Sequence, residues 1–216
     1  MIKKGFIYLV GFGFVLVSCI KHEVIPAPTP QVDLGAHFIG VINNTQTEYT
    51  DNVLGYSNNS FKVKIIQPPG GNSTAVYYSR MQSTSVTPSI AIGLGSINFD
   101  SGVASDPPLA LFLPFFPAND SPNYSNNGAA GFEVIYTDPT SRQWKSSQSS
   151  TYPGKSADFT GIKVESDGSG DYSKFICTFD CFVYSVNPDS LALIPPVAHL
   201  DSILINDAVY TGWFKR

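Results

Sequence analysis

The 216-residue chain carries 14% charged residues, well under the roughly 25% of average soluble proteins. A formal net charge of −4 and a pI near 5.2 leave out the basic footprint that nucleic-acid binding requires. Aromatics at 13%, with many Gly and Pro, suit short strands joined by turns better than helices, and 43% apolar residues can build a core.

The N-terminus reads as an export signal over residues 1–18. Lys3 and Lys4 precede an uncharged apolar run from Phe6 to Val17. That run is shorter than the ~20 residues a spanning helix needs, and Gly11 and Gly13 weaken it as a permanent helix. It ends in Leu16-Val17-Ser18-Cys19, which resembles the lipobox of bacterial lipoproteins. The resemblance implies cleavage before Cys19 and a diacylglyceryl group on its sulfur, making Cys19 the lipid-attachment residue and a membrane the partner it reaches. Each buried CH₂ of such a lipid contributes ~0.8 kcal/mol, and several chains together hold a protein stably. Residues 19–35 follow as a tether in which Pro26, Pro28 and Pro30 favour an extended spacer. Lys21-His22-Glu23 loosely resembles the charged export signal of Bacteroidetes-type surface lipoproteins. The implied address is the bacterial cell envelope, at the outer membrane, with the surface and periplasmic faces both open.

From residue 36 to 216 the chain reads as one all-β domain, an antiparallel sandwich or open barrel of about 8–10 strands. Phe38 to Ile42 and Ala75 to Met81 are short alternating segments. In Phe61-Lys62-Val63-Lys64-Ile65 the expectation puts Phe61, Val63 and Ile65 inward and the lysines outward. Ile90, Ile92 and Leu94 share a parity that Ile97 and Phe99 break, which predicts a bulge or bend at Gly95-Ser96. Leu109 to Phe116 is the most apolar stretch after the signal. Pro114 excludes a long helix or central strand there, and a buried crossing segment is preferred to an exposed patch. The Asn- and Ser-rich stretch Asn119 to Gly128 reads as a mobile loop. Phe132, Val134 and Tyr136 face one way in the next strand.

Ser141 to Lys155 reads as a polar loop. Its Arg142, Trp144 and Tyr152 are candidate ligand-binding residues, because sugar recognition uses flat aromatic faces flanked by fixed hydrogen-bonding groups. The competing assignment, which is preferred, is a hairpin whose Trp144 covers one end of the core. Asp167-Gly168-Ser169-Gly170-Asp171 lacks the later ligands of a calcium loop and reads as a turn. Phe175, Cys177, Phe179, Cys181 and Val183 form one face of the strongest strand. Four residues of strand separate the two cysteines by about 13 Å, too far for a disulfide, whose Cα atoms lie within about 7 Å. A final hairpin is expected to turn at Asn206-Asp207.

No metal site, cofactor or catalytic set is indicated. Asp100, Asp106, Glu133 and Asp158 are the acids a β-scaffold hydrolase would draw on, but nothing pairs them. Lipobox, spacer, the early strand His37 to Ile42 and the terminal segments Tyr172 to Phe179 and Ile203 to Tyr210 together resemble the small all-β lipoproteins of unknown function from Bacteroidetes-type bacteria. The leading expectation is a non-enzymatic binding or structural module on a lipid tether, with a glycan or an envelope protein as partner. A glycan-binding accessory for polysaccharide capture and a hydrolase are the alternatives.

Overall fold

A computed structural model describes residues 31–151, 153, 156–191 and 199–216. The signal segment, Cys19, the prolines of the tether and Tyr152 lie outside the described residues. The domain is all-β. Ten strands form one antiparallel sheet, strongly curled into a half-barrel. They are β1 (His37–Ile42), β2 (Thr45–Thr50), β3 (Tyr56–Ile65), β4 (Asn72–Ser83), β5 (Ser89–Asp100), β6 (Phe132–Thr137), β7 (Gln143–Lys145), β8 (Asp158–Asp167), β9 (Gly170–Val186) and β10 (Leu200–Lys215). The order across the sheet is β2-β1-β10-β9-β7-β6-β5-β4-β3, with β8 pairing β9 beside that path.

The alternating segments behave as period two requires. Ile90, Ile92, Phe132, Val134, Phe175, Cys177, Phe179, Cys181 and Val183 all reach the inner core. The parity switch in β5 is a bulge: Leu94 pairs with Tyr77 and Ile97 with Ala75, so Gly95 and Ser96 together oppose Val76. The extra residue lets Leu94, Ile97 and Phe99 all face inward. The apolar stretch after β5 is a seven-residue helix, α1 (Leu109–Phe115). Phe112 and Phe116 are fully buried and close one end of the half-barrel. Phe112 meets Tyr77 edge-on at 5.3 Å, and Phe116 stacks on Phe214 at 4.7 Å. The segment is therefore both things weighed from sequence, since Leu109, Leu111 and Leu113 of the same helix stay exposed.

Two expectations are corrected. In β3 the inward and outward faces are exchanged: Val63 and Ile65 are about half exposed. β3 is an edge strand whose inner face meets hydrogen-bonding groups rather than apolar core. Ser60 Oγ accepts from the Lys215 backbone N–H at 2.8 Å, the Asn58 amide lies 2.8 Å from the Tyr210 hydroxyl, and Lys62 and Lys64 pair with Asp106 at 2.7 and 2.9 Å. Phe61 faces outward and stacks on Tyr78 at 4.9 Å, with the Arg80 guanidinium over its ring.

The terminal hairpin is one continuous strand, β10, with a bulge at Asn206-Asp207. Ile205 pairs with Cys181 and Ala208 with Phe179, so two residues face Asp180. Asp207 takes a positive φ of 50°, and its N–H donates to Asp180 Oδ1 at 2.6 Å. The carboxylate satisfies the donor that the bulge would otherwise strand. The Asn-rich loop after α1 makes contacts with β6. Tyr124 and Ser125 are buried, Ser125 N–H donates to Phe132 O, and the Gly128 N–H reaches Glu133.

Gly93 shows how closely the outer face is fitted. It lies across from Tyr78 in the ladder, and a Cβ there would sit 2.3 Å from a Tyr78 ring carbon. Gly93→Ala should displace the ring and lower stability by about 1–3 kcal/mol. Thermal denaturation by circular dichroism checks this. Gly168→Ala, where nothing lies within 4 Å, should leave the midpoint unchanged.

Candidate functional site

Arg142 and Trp144 come together, but not as an open platform. Trp144 on β7 is 6% exposed, and its Nε1–H donates to Asp138 Oδ2 at 3.0 Å. Asp138 Oδ1 accepts from Thr140 N–H, Thr140 Oγ1 and Arg142 N–H at 2.7–3.0 Å. Burial raises the Asp138 carboxyl, and the bonds from Thr140 and Trp144 outweigh it, holding the group below the usual carboxylate range. The Arg142 guanidinium lies 4.2 Å from the Trp144 ring centroid. It also donates to Ser185 Oγ, to the carbonyls of Ser185 and Val186, and to Asp201 Oδ2 at 2.7 Å. The indole is thus bonded at one edge and stacked on one face by the same chain, and Tyr152 lies outside the described residues.

A more open cavity, of about 440 Å³, lies at the end of the half-barrel opposite α1. It is bounded by the β1–β2 hairpin (Ile42, Asn43, Thr45, Thr47, Tyr49), by Pro88 before β5, by Tyr136, Asp138 and Pro139 after β6, and by Ile203 of β10. Thr45, Thr47 and Tyr49 share one face of β2 because they sit two residues apart. Burial pushes the Tyr49 phenol up from its ordinary range, and the nearby phenols of Tyr136 and Tyr56 add to that shift. Tyr56 in turn donates to the Pro88 carbonyl at 3.0 Å and stacks on Tyr49 at 4.5 Å. The floor is therefore a fixed set of rings and phenol oxygens, and the rim carries Thr hydroxyls and the Asn43 amide. Among the described residues, none in the lining is cationic, and the one carboxylate, Asp138, is engaged by Thr140, Arg142 and Trp144.

Sequence reasoning missed this cavity. Its residues come from four separated segments, and β2 is too polar to attract notice as a core strand. The available signal was Thr45-x-Thr47-x-Tyr49, a period-two face in which hydroxyls replace aliphatics.

The acids considered for catalysis are spread over the fold. Asp100 accepts from the Gly70 and Gly102 N–H groups, and Asp106 binds the two lysines of β3. Glu133, 2% exposed, accepts from Tyr78 Oη at 2.8 Å and Gly128 N–H at 3.1 Å, with Lys145 Nζ at 3.5 Å. Asp158 shares an outer groove of about 400 Å³ with Asp180 and Asp207. Asp158 pairs with Thr178, two residues before Asp180, so the two Cα atoms are about 7–8 Å apart on one face. Their oxygens are occupied by structure: Asp158 accepts from Ser121 and Ser156, and Asp180 holds the β10 bulge. Among the described residues, no group of His, Cys, Asp and Glu has the arrangement of a metal site. Cys177 and Cys181 are free, fully buried thiols, and burial pushes both well above the ordinary thiol range.

Trp144 contributes to the core rather than standing clear of it, so Trp144→Ala should cost about 3–5 kcal/mol of stability. Chemical denaturation followed by far-UV circular dichroism reads this; a midpoint equal to wild type would show that the indole carries no core load. No family model, curated protein or solved structure matches the chain.

Proposed function

We propose that this chain is a lipid-anchored protein of the bacterial outer membrane whose half-barrel is a non-enzymatic binding module. The ligand site is the cavity between the β1–β2 hairpin and the ends of β5 and β6. The observation that carries this reading is the lining itself. Tyr49, Tyr136, Pro88, Pro139 and Ile203 supply apolar surface, while Thr45, Thr47 and Asn43 supply hydrogen-bonding groups at the rim. A few placed polar groups in an apolar recess suit recognition of small ligands. With no cation among the described lining residues, and with Asp138 already engaged, the recess suits an uncharged ligand. A neutral saccharide, with apolar ring faces and hydroxyls, fits that description.

The anchor rests on Leu16-Val17-Ser18-Cys19 at the end of a charged-then-apolar leader. No helix among the described residues is long and apolar enough to cross a membrane. The paired acids Asp158 and Asp180 do not carry a hydrolase reading, because their hydrogen bonds hold loops and a bulge in place.

Thr47→Arg tests the site. Thr47 is half-buried at the cavity wall, and the longer side chain should obstruct the recess while its charged head stays in solvent. On an array of neutral polysaccharides, wild type should be retained by at least one glycan. The variant should lose that retention at least tenfold with an unchanged melting temperature. Equal retention of both proteins, or retention of wild type on no neutral glycan, would overturn the assignment.

A further inference from the structure

The end of the half-barrel that α1 closes is also the end at which the chain enters the domain. The Val32 N–H donates to Asp167 Oδ2 at 2.9 Å, at the β8–β9 turn. A few residues on, Asp171 O accepts from the Arg216 N–H at 2.9 Å, and Arg216 Nη1 reaches the Pro107 carbonyl just before α1. Lys64 Nζ donates to Ser105 O, and Ser101 Oγ donates to Gln67 O. The entering chain, the β8–β9 turn, the C-terminus, α1 and the loops around Gln67 and Ser101 therefore belong to one end of the molecule.

That end exposes apolar side chains that no other described residue covers. Leu109, Leu111 and Leu113 are 37–41% exposed, Ile66 is 54% and Val103 81%. The leucines are not loosely held. Phe112 and Phe116 of the same segment are buried against Tyr77 and Phe214, so α1 presents its outer residues from a fixed base. Of the neighbouring charges, Lys62 and Lys64 pair with Asp106 and Arg216 with Asp171. Asp100 accepts from the Gly70 and Gly102 N–H groups, and Asp167 from the Val32 N–H and Ser169.

We propose that this end rests on the lipid bilayer, with Leu109, Leu111 and Val103 in the interfacial region. The inference rests on the lipid anchor at Cys19. Twelve residues lie between Cys19 and Val32, and the span from one to the other, at about 3.4 Å per step, reaches at most about 45 Å. An acylated chain thus keeps this end within a short tether of the membrane and raises its local concentration there. Exposed apolar side chains on a tethered surface then add a second, weaker contact to the lipid one. The opposite end also exposes Val53 and Leu54. The ten residues of β3, at about 3.3 Å each, separate it by about 30 Å from Ile66 and the α1 end.

The test uses the full chain, acylated in cells and reconstituted into phosphatidylethanolamine–phosphatidylglycerol vesicles. A bimane fluorophore is placed at Leu111→Cys or, as control, at Val53→Cys; the buried Cys177 and Cys181 stay unlabelled in the folded protein. Intact mass of the same sample reports acylation. Doxyl-labelled lipids should quench the Leu111 probe at least twofold and leave the Val53 probe unchanged. An acylated, vesicle-bound protein whose Leu111 probe is not quenched overturns the membrane contact and leaves the anchor standing. A mass without acyl groups overturns the anchor and the contact with it. A Leu111 response that appears without lipid and grows with protein concentration assigns the face to a second copy and overturns the membrane contact.

Discussion

The hydrogen bond from the Asp207 N–H to the Asp180 carboxylate is the contact on which the rest of the half-barrel turns. β10 is flanked by β9 on one side and β1 on the other, and it must keep both ladders while bending. The extra residue at Asn206-Asp207 supplies the bend. On the β9 side Asp180 occupies the gap; on the β1 side the gap falls at Gly40, where a Cβ would lie 3.1 Å from Ala208 Cα. A side chain at residue 40 or an apolar residue at 180 would disturb both ladders at once. With the bulge in place, one half of β10 brings Ile203 to the cavity. The other half brings Tyr210 and Phe214 beneath α1 and against β3.

The molecule thereby acquires two unlike ends. One is closed by Phe112 and Phe116 and receives the chain from its N-terminal side. The other is left open between the β1–β2 hairpin and the turn after β6, with tyrosines as its floor. On the proposed lipid tether, a site at the membrane-side end would face lipid instead of ligand. The saccharide reading and the membrane contact draw on opposite ends of the fold, so each can fail without the other.

Much of the fold was legible in the sequence because period-two alternation follows from strand geometry. Phe132, Val134 and Tyr136, the Phe175 to Val183 face, and even the bulge at Gly95-Ser96 follow from side-chain parity alone. The failures share a cause, namely partners distant in sequence. Parity in β3 shows that residues 61, 63 and 65 share a face, but not which face. The deciding contacts come from Lys215, Tyr210 and Asp106. Asn206-Asp207 has the composition of a turn, and only Asp180 and Gly40 on the neighbouring strands make it a bulge. Trp144 stands among polar residues in the sequence, and its burial depends on Asp138 and Arg142 closing over it. The cavity was hidden for the same reason, since Thr45 and Tyr136 become neighbours only when the sheet curls.

The central claim is that the open end, and not the Trp144 loop or the Asp158 groove, meets the ligand. Backbone amide chemical shifts of the isotope-labelled protein, followed during titration with a retained neutral oligosaccharide, test it most directly. Shifts concentrated at residues 42–49 and 136–139, with saturation, are predicted. Shifts concentrated at 142–149, or at 156–158 and 178–180, would contradict the account and move the site elsewhere on the sheet.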